Sequence, residues 1–394
     1  MKHFNYIENE GIKELFYKSP TNITMNSIKT TLEYALGATL YMPATRKNID
    51  DMLVENKYPE LSSLVICLED AIGDNEIEIA EKNLIRVLEN IFIAIESNKY
   101  DRGKLPLLFI RVRNSEHLIS LSKKIELYSE IIVGFVFPKF DNISGVSYLK
   151  ALNIVNKKLI KKYYFMPVLE TENIIYIEKR LENLDEISKL LIKNSEFLLN
   201  VRIGATDFSS LFGLRRSKDF TIYDISIIRD CISDILNFFT RKDTEYVVSG
   251  AVWEYFNNNE RILKPLLRNT LFNEHLGEEG KLIRTNLIKN NLDALIREIL
   301  LDRENGIIGK TVIHPSHISL VNSLYVVTKE EYLDAKCIIN ESSNGVIKSK
   351  YNNKMNEIKP HERWARRIIK RSEIYGVFNE GYDFVSLLSY RRKI

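Results

Sequence analysis

Three things are scarce in this 394-residue sequence, and each scarcity closes off a class of protein. The first is cysteine: Cys67, Cys231 and Cys337 are odd in number, far apart and without a CxxC pair. That argues against a disulfide framework and makes a poor zinc site, so the thiols read as small buried hydrophobes in a protein of the reducing cytoplasm. The second is net charge. Lysine and arginine total 56 against 53 acids, a balance of +3 that lacks the basic surplus of a dedicated nucleic-acid binder. The third is the long apolar run. No stretch approaches the roughly twenty residues of a membrane span, and acids interrupt the opening MKHFNYIENEGIKELF before a signal-peptide core forms. What is left is the composition of a soluble globular chain, 45% hydrophobic and 28% charged. Its length suits one large α/β barrel with a smaller appendage, or two ordinary domains.

Apolar runs alternating with helical periodicity carry the organisation. Residues 1–36 read as one or two amphipathic helices, with Ile12, Leu15 and Phe16, then Ile28, Leu32 and Ala35, on one face. Gly37 breaks that pattern, and eight apolar, β-branched or aromatic runs follow, mostly 25–45 residues apart. In order they are ATLYMPA, SSLVICLEDAIGD, PLLFIRVRN, GFVFPKFD, YYFMPVLET, FLLNVRIGATD, TEYVVSGAV and GKTVIHPS. The seventh, near 244–252, carries the weakest signal. Alternating strands and helices predict a parallel sheet, and eight such units predict closure into a (β/α)8 TIM barrel over 37–323. The stretch before the eighth run exceeds one barrel helix and reads as two, broken at GEEG. Residues 324–394 change character, with a helix, turn signals, basic residues and a final helix. They predict a C-terminal helical subdomain whose polar middle reads as a loop or lid.

In such barrels the site is built at the C-terminal ends of the strands. Those ends are Arg46, Glu69, Asp70, Arg111, Lys139, Glu170, Asp207 and His314. Ordinary packing does not call for so many ionisable groups at one mouth, because gathering them is costly unless they pair or bind an ion. Glu170 and Asp207, on successive strands, suit a hard divalent cation that fills its other positions with water and substrate oxygens. Arg111 suits a substrate carboxylate, gripped in bidentate fashion. Arg113, two residues on, would aim the same way, and Arg111 is the favoured contact. Plainer readings stand beside these: Glu170 and Asp207 as helix caps, Glu69 and Asp70 as a structural pair, Lys139 as a solvated side chain. His314 reads better as a structural histidine than as a metal ligand. Arg215-Arg216 reads as an anion site or a solvated loop, and Trp253 and Trp364 as core or subunit-contact aromatics.

Taken together, LYMPATR, CLEDAI, IRVRN, FPKF, VLET, IGATDFSSLFG and GKTVIHPSHI resemble, in this order, the HpcH/HpaI aldolase and citrate lyase β-subunit superfamily. The likeness covers about 40–320. The long insert and the tail NKMNEIKPHERWARRI resemble one branch of it, the citrate-lyase-like carbon–carbon lyases that accompany bacterial tellurite- and stress-resistance genes. The resemblance implies Mg²⁺, or Mn²⁺ in its place, held by Glu170 and Asp207. It implies a substrate-binding role for Arg111 and a site role for the acid pair Glu69 and Asp70. It also implies a homo-oligomer, a trimer or hexamer, in which the C-terminal segment reaches a neighbour's site. One departure stands out. Where many relatives carry Met-Ile-Asp in the tail, this chain has Met355-Asn356-Glu357, then Ile358-Lys359-Pro360-His361. Glu357 is thus a candidate stand-in for that aspartate, and Lys359 or His361 a candidate contact for a more anionic or phosphorylated substrate.

The expected chemistry is cleavage or formation of a carbon–carbon bond next to a carbonyl. An enolate would be stabilised by the cation and by Arg111, with Arg46 and Lys139 as further substrate contacts. A metal-bound water, Asp70 or Glu69 are the candidates for general base. The substrate expected is a small carboxylate or thioester, acyl-CoA included. Two alternatives remain: a thioester hydrolase on the same metal site, and a catalytically silent barrel that binds a metabolite or scaffolds partners. Neither nucleic acid nor membrane is expected as a partner.

Overall fold

The computed structural model describes residues 1–256, 292–340, 345–351 and 353–390. Of the two helices expected on either side of GEEG, the first and the start of the second lie outside the described residues, and the end of the second is the helix Asp293–Glu304. Eight parallel strands form the centre: β1 (Ala38–Pro43), β2 (Ser63–Cys67), β3 (Leu107–Arg111), β4 (Gly134–Phe137), β5 (Tyr164–Leu169), β6 (Val201–Ile203), β7 (Val248–Ser249) and β8 (Lys310–Val312). Their order, β7-β6-β5-β4-β3-β2-β1-β8, is sequential apart from β8, which lies against β1. Closure comes from backbone bonds across the last seam. Ile308 N–H donates to Val248 O at 2.9 Å and Gly250 N–H to Gly309 O at 3.0 Å, while Thr311 N–H returns to Gly250 O at 3.2 Å. The weakest run is also the shortest strand, just Val248–Ser249.

The helices between the strands follow the expected chemistry. Ile77–Glu96 buries Ala80, Leu84, Val87, Leu88, Ile91 and Ala94–Ile95 at three- and four-residue spacing, the stripe a barrel helix needs. Asn142–Lys158 starts where Asp141 accepts hydrogen bonds from Ile143 N–H and Ser144 N–H at 3.0 and 2.8 Å. No helix among the described residues is long and apolar enough to cross a membrane.

Both ends of the chain pack together beneath the barrel. The first segment forms helices Asn9–Leu15 and Lys29–Ala35, but Phe16–Lys18 between them is a strand antiparallel to Val377–Phe378. The helical face expected at Phe16 gives way there because the edge of a distant strand supplies its backbone partners. Helix Ile358–Tyr375 lies across the same end. Tyr375 donates its hydroxyl to Tyr34 O at 2.8 Å, Arg363 Nε pairs with Glu245 at 2.6 Å, and Arg367 bonds to Gly306 O. Tyr34, Glu245 and Gly306 all precede strands, so this is the N-terminal end of the barrel. The segment expected to cover the mouth therefore covers the opposite end of its own barrel. One apolar core runs from Phe4 through the barrel interior to Tyr375 and Phe378.

Candidate active site

Arg111, the last residue of β3, gathers the carboxylates at the mouth. Its Nη2 lies 2.7 Å from Glu69 Oε2, 2.9 Å from Asp70 Oδ2 and 2.9 Å from Glu170 Oε1. Lys139, just past β4, closes the ring from outside, with Nζ 2.7 Å from Glu69 and 2.9 Å from Asp70. Its backbone is left-handed, φ 48°, and that turn points its N–H at Glu170 Oε1, 2.9 Å away. Glu170 is 4% exposed, at the end of β5. Asp207 sits in the first turn of the short helix Ala205–Ser210 that follows β6. It is close enough to Glu170 for their side chains to hydrogen-bond.

The acids differ in how they carry charge. Burial pushes Glu170 up to about 8 against the pull of Arg111, and Asp207 beside it adds to the rise. Asp207 is raised too, first by burial and then by Asp70. Within the pair at the end of β2, burial raises Glu69. Asp70, despite some burial of its own, is held below the usual aspartate range by its hydrogen bond with Glu69 and by Arg111 and Lys139. Neighbouring acids pushed apart in this way divide into a proton holder and a ready base. Asp70 faces the cavity above the barrel, a space of about 580 Å³ that Arg111, Glu170 and Asp207 also line.

The raised value of Glu170 has a consequence for stability. Its folded pKa lies above the unfolded carboxylate value, so its contribution is complete below about pH 4.5 and is lost as pH rises through about 8. Metal-free protein is expected to lose about 3 kcal/mol between pH 6 and 9 from this group. Glu170→Gln should flatten that fall, read as thermal midpoint against pH. An identical pH profile in the variant would contradict the assignment.

The family model for carbon–carbon bond lyases of the TIM-barrel fold matches residues 30–377, essentially the whole barrel and part of the tail. This chain belongs to that carbon–carbon bond lyase family. Among solved structures, CitE from Mycobacterium tuberculosis, in complex with magnesium, acetoacetate and coenzyme A, superposes with a TM-score of 0.51 at 15% identity. It covers 86% of this chain and 99% of its own. RipC from Yersinia pestis gives a TM-score of 0.45 at 16% identity over 76% of this chain and 99% of its own. At such identities the likeness is one of fold. None of the curated proteins matches the sequence.

In this lyase the structure brings together Glu69, Asp70, Arg111, Lys139, Glu170 and Asp207. It leaves other candidates elsewhere. Arg46 bonds through Nε to Asn48 at 3.2 Å, outside the carboxylate cluster. Arg113 pairs with Asp74. His314 holds Ser316 at 2.7 Å and stacks on Phe256 with ring centroids 4.7 Å apart. Glu357 and His361 bond to each other at the N-terminal end, where Glu357 N–H meets His361 Nδ1 at 3.1 Å, remote from their own mouth. Arg216 is neither an anion site nor a solvated residue: it is buried over the Trp253 ring and paired with Glu254 and Glu298. Cys67 and Cys231 are buried as expected, whereas Cys337 is only half-buried.

Two residues escaped the sequence reading. Arg202, in β6, is a charged residue inside the run FLLNVRIGATD, and that incongruity was the available signal. Gly204 follows it. A Cβ there would meet Glu170 Oε2 at 2.3 Å and Glu170 Cβ at 2.4 Å, while its own φ of −97° suits any residue. Gly204→Ala should therefore fold yet displace the carboxylate. Misplacement on the order of 1 Å costs about 100-fold in activity, so turnover should drop by roughly that factor with little change in thermal midpoint. Wild-type turnover in the variant would show that the carboxylate need not sit there.

Proposed function

We propose that this protein is a Mg²⁺-dependent lyase that breaks or forms a carbon–carbon bond beside the carbonyl of a small carboxylate- or thioester-bearing substrate. The observation that carries this reading is the meeting of Glu170 and Asp207 at the mouth, both raised by burial and Glu170 further by the charge of Asp207, next to Arg111. Among the described residues no group of three or more His, Cys, Asp or Glu side chains is set to hold a metal. Two carboxylates opening onto a cavity nevertheless fit Mg²⁺, or Mn²⁺ in its place, because such an ion takes one or two carboxylates and completes its shell with water and substrate oxygens. A hard cation would also favour the charged forms of both acids, which burial disfavours. When bound, it would supply Lewis-acid polarisation of the substrate carbonyl.

This chain's own residues have separate tasks. Arg111 Nε has no hydrogen-bond partner among the described residues and is buried, which leaves a charged donor for a substrate carboxylate. Asp70, ionised and facing the cavity, takes the proton of the β-hydroxyl in the cleavage direction. Glu69 and Lys139 hold Asp70 and Arg111 in place. The reading includes a homo-oligomer, because Glu357 and His361 reach a mouth only on another copy.

Testing it requires Mg²⁺ titration by calorimetry and a screen of 2-oxo acids, acyl thioesters and sugar-derived aldehydes for Mg²⁺-dependent cleavage or condensation. Cleavage to a keto acid or aldehyde is the expected result. Absence of both Mg²⁺ and Mn²⁺ binding would sink the reading. Release of free thiol with neither product would make the protein a thioester hydrolase instead.

A further inference from the structure

The buried arginines of the described residues are Arg111, Arg180, Arg202, Arg216 and Arg371. Four of them have acids: Arg111 the mouth carboxylates, Arg180 Asp234 at 2.9 Å, Arg216 Glu254 and Glu298, and Arg371 Glu331 at 3.2 Å. Arg202 is 1% exposed and has no carboxylate partner among the described residues. Its guanidinium crosses the barrel interior from β6 to the seam of β1 and β8. There Nη2 donates to Thr311 Oγ1 at 2.7 Å, and Nη1 makes a long 3.4 Å contact with Thr39 Oγ1. Thr39 and Thr311 are register partners across that seam. The Tyr41 ring lies 5.5 Å away, and Nε has no hydrogen-bond partner among the described residues. Nη1 also meets Met166 Sδ at 3.9 Å, so among the described residues the guanidinium, which carries five donors, meets two hydroxyls and a thioether but no charged acceptor.

A buried charge without a counter-charge is costly and is normally paired. Arg202 also lines the cavity that opens onto Arg111, Glu170 and Asp207. The cavity is thus polar in a definite sense. Its mouth gathers Glu69, Asp70, Glu170 and Asp207 around Arg111 and Lys139, while its floor holds a positive charge with no acid opposite it among the described residues. We infer that Arg202, with Thr39, Tyr41 and Thr311, is a second anion-receiving group, and that the substrate is a dianion whose far carboxylate rests on it. This rests on the lyase reading, which puts the reacting carbonyl at the mouth. It adds that the substrate has two anionic ends and enters in one orientation. Planar guanidinium matches carboxylate in a two-point geometry that a lysine ammonium does not offer.

Succinate and butyrate serve as probes, since they share chain length and differ in the second carboxylate. Calorimetry on the full-length protein is run with and without saturating Mg²⁺. Wild type is expected to bind succinate at least tenfold more tightly than butyrate. Arg202→Met should bring succinate to the level of butyrate while leaving Mg²⁺ affinity within twofold, and Arg202→Lys should restore only part of the preference. Should Arg202→Met fail to fold, Thr311→Val takes its place, with a severalfold loss for succinate alone. Equal affinity for the two acids in wild type, binding of neither, or an unchanged preference in the folded variant overturns the inference. The Mg²⁺ titration fails separately: no metal binding with an Arg202-dependent preference for succinate would discard the metal-dependent lyase and keep the second anion site.

Discussion

Glu170→Gln is expected to weaken Mg²⁺ binding by at least about 100-fold and to lower metal-dependent turnover on the order of 1000-fold, while the protein stays folded. The loss follows from taking one of two carboxylates from a hard cation that prefers charged oxygen ligands, and with it stabilisation of charge in the transition state. Survival of the fold follows from the contacts that remain. The amide oxygen still accepts the Lys139 N–H, and Arg111 keeps Glu69 and Asp70. With a folded pKa of about 8, Glu170 is largely protonated in metal-free protein at neutral pH, so a neutral amide resembles its resting state. Calorimetry and turnover measured on the same preparation separate the two effects. Wild-type Mg²⁺ affinity in this variant would remove Glu170 from the metal site.

Lys310→Met is expected to produce the largest loss of stability. Lys310 is the first residue of β8, and its backbone N–H donates to Gly37 O at 2.9 Å, so it belongs to the closing seam of the barrel. Its side chain is fully buried, with Nζ 2.8 Å from Glu298 and 2.9 Å from Asp302 on helix Asp293–Glu304. Glu298 also accepts from Arg216 and from Ile222 N–H, and Asp302 accepts the Tyr223 hydroxyl at 2.7 Å. Methionine matches the stem but strands Asp302 without a counter-charge beside Glu298, which keeps Arg216. Removing one partner from a buried ion pair costs about 3–5 kcal/mol. Urea unfolding should show that loss, and Lys310→Met with Asp302→Leu should recover part of it by removing an orphaned charge. A change below about 1 kcal/mol would mean that water reaches these acids.

Much of the site was legible because strand runs that end on acids or arginine are rare without a purpose. Glu69, Asp70, Arg111, Lys139, Glu170 and Asp207 each sit where an apolar run stops, and barrel geometry brings such stops to one rim. Arg111 was separable from Arg113 in outcome, though strand alternation aims both alike. The structure gives Arg113 a local partner, Asp74, that no periodicity indicates. Arg216 was misread for a related reason. Its neighbour Arg215 is exposed, and only the distant Glu298 and Trp253 explain why Arg216 is buried.

The amino-acid sequence by itself determined the eight strand–helix units, their closure into a barrel, and the acids and arginine at its rim. These follow from local periodicity and from where each run ends, which are properties of short segments. Tertiary structure alone decided which charges inside the strands face the cavity and which face the helices. Barrel strands are buried on both faces, so Arg202 and Lys310 stand in apolar runs whose alternation does not reveal inside from outside. It also decided that the tail lies at the far end from the mouth, because that packing depends on Tyr34, Glu245 and Gly306, residues more than fifty positions away in the chain.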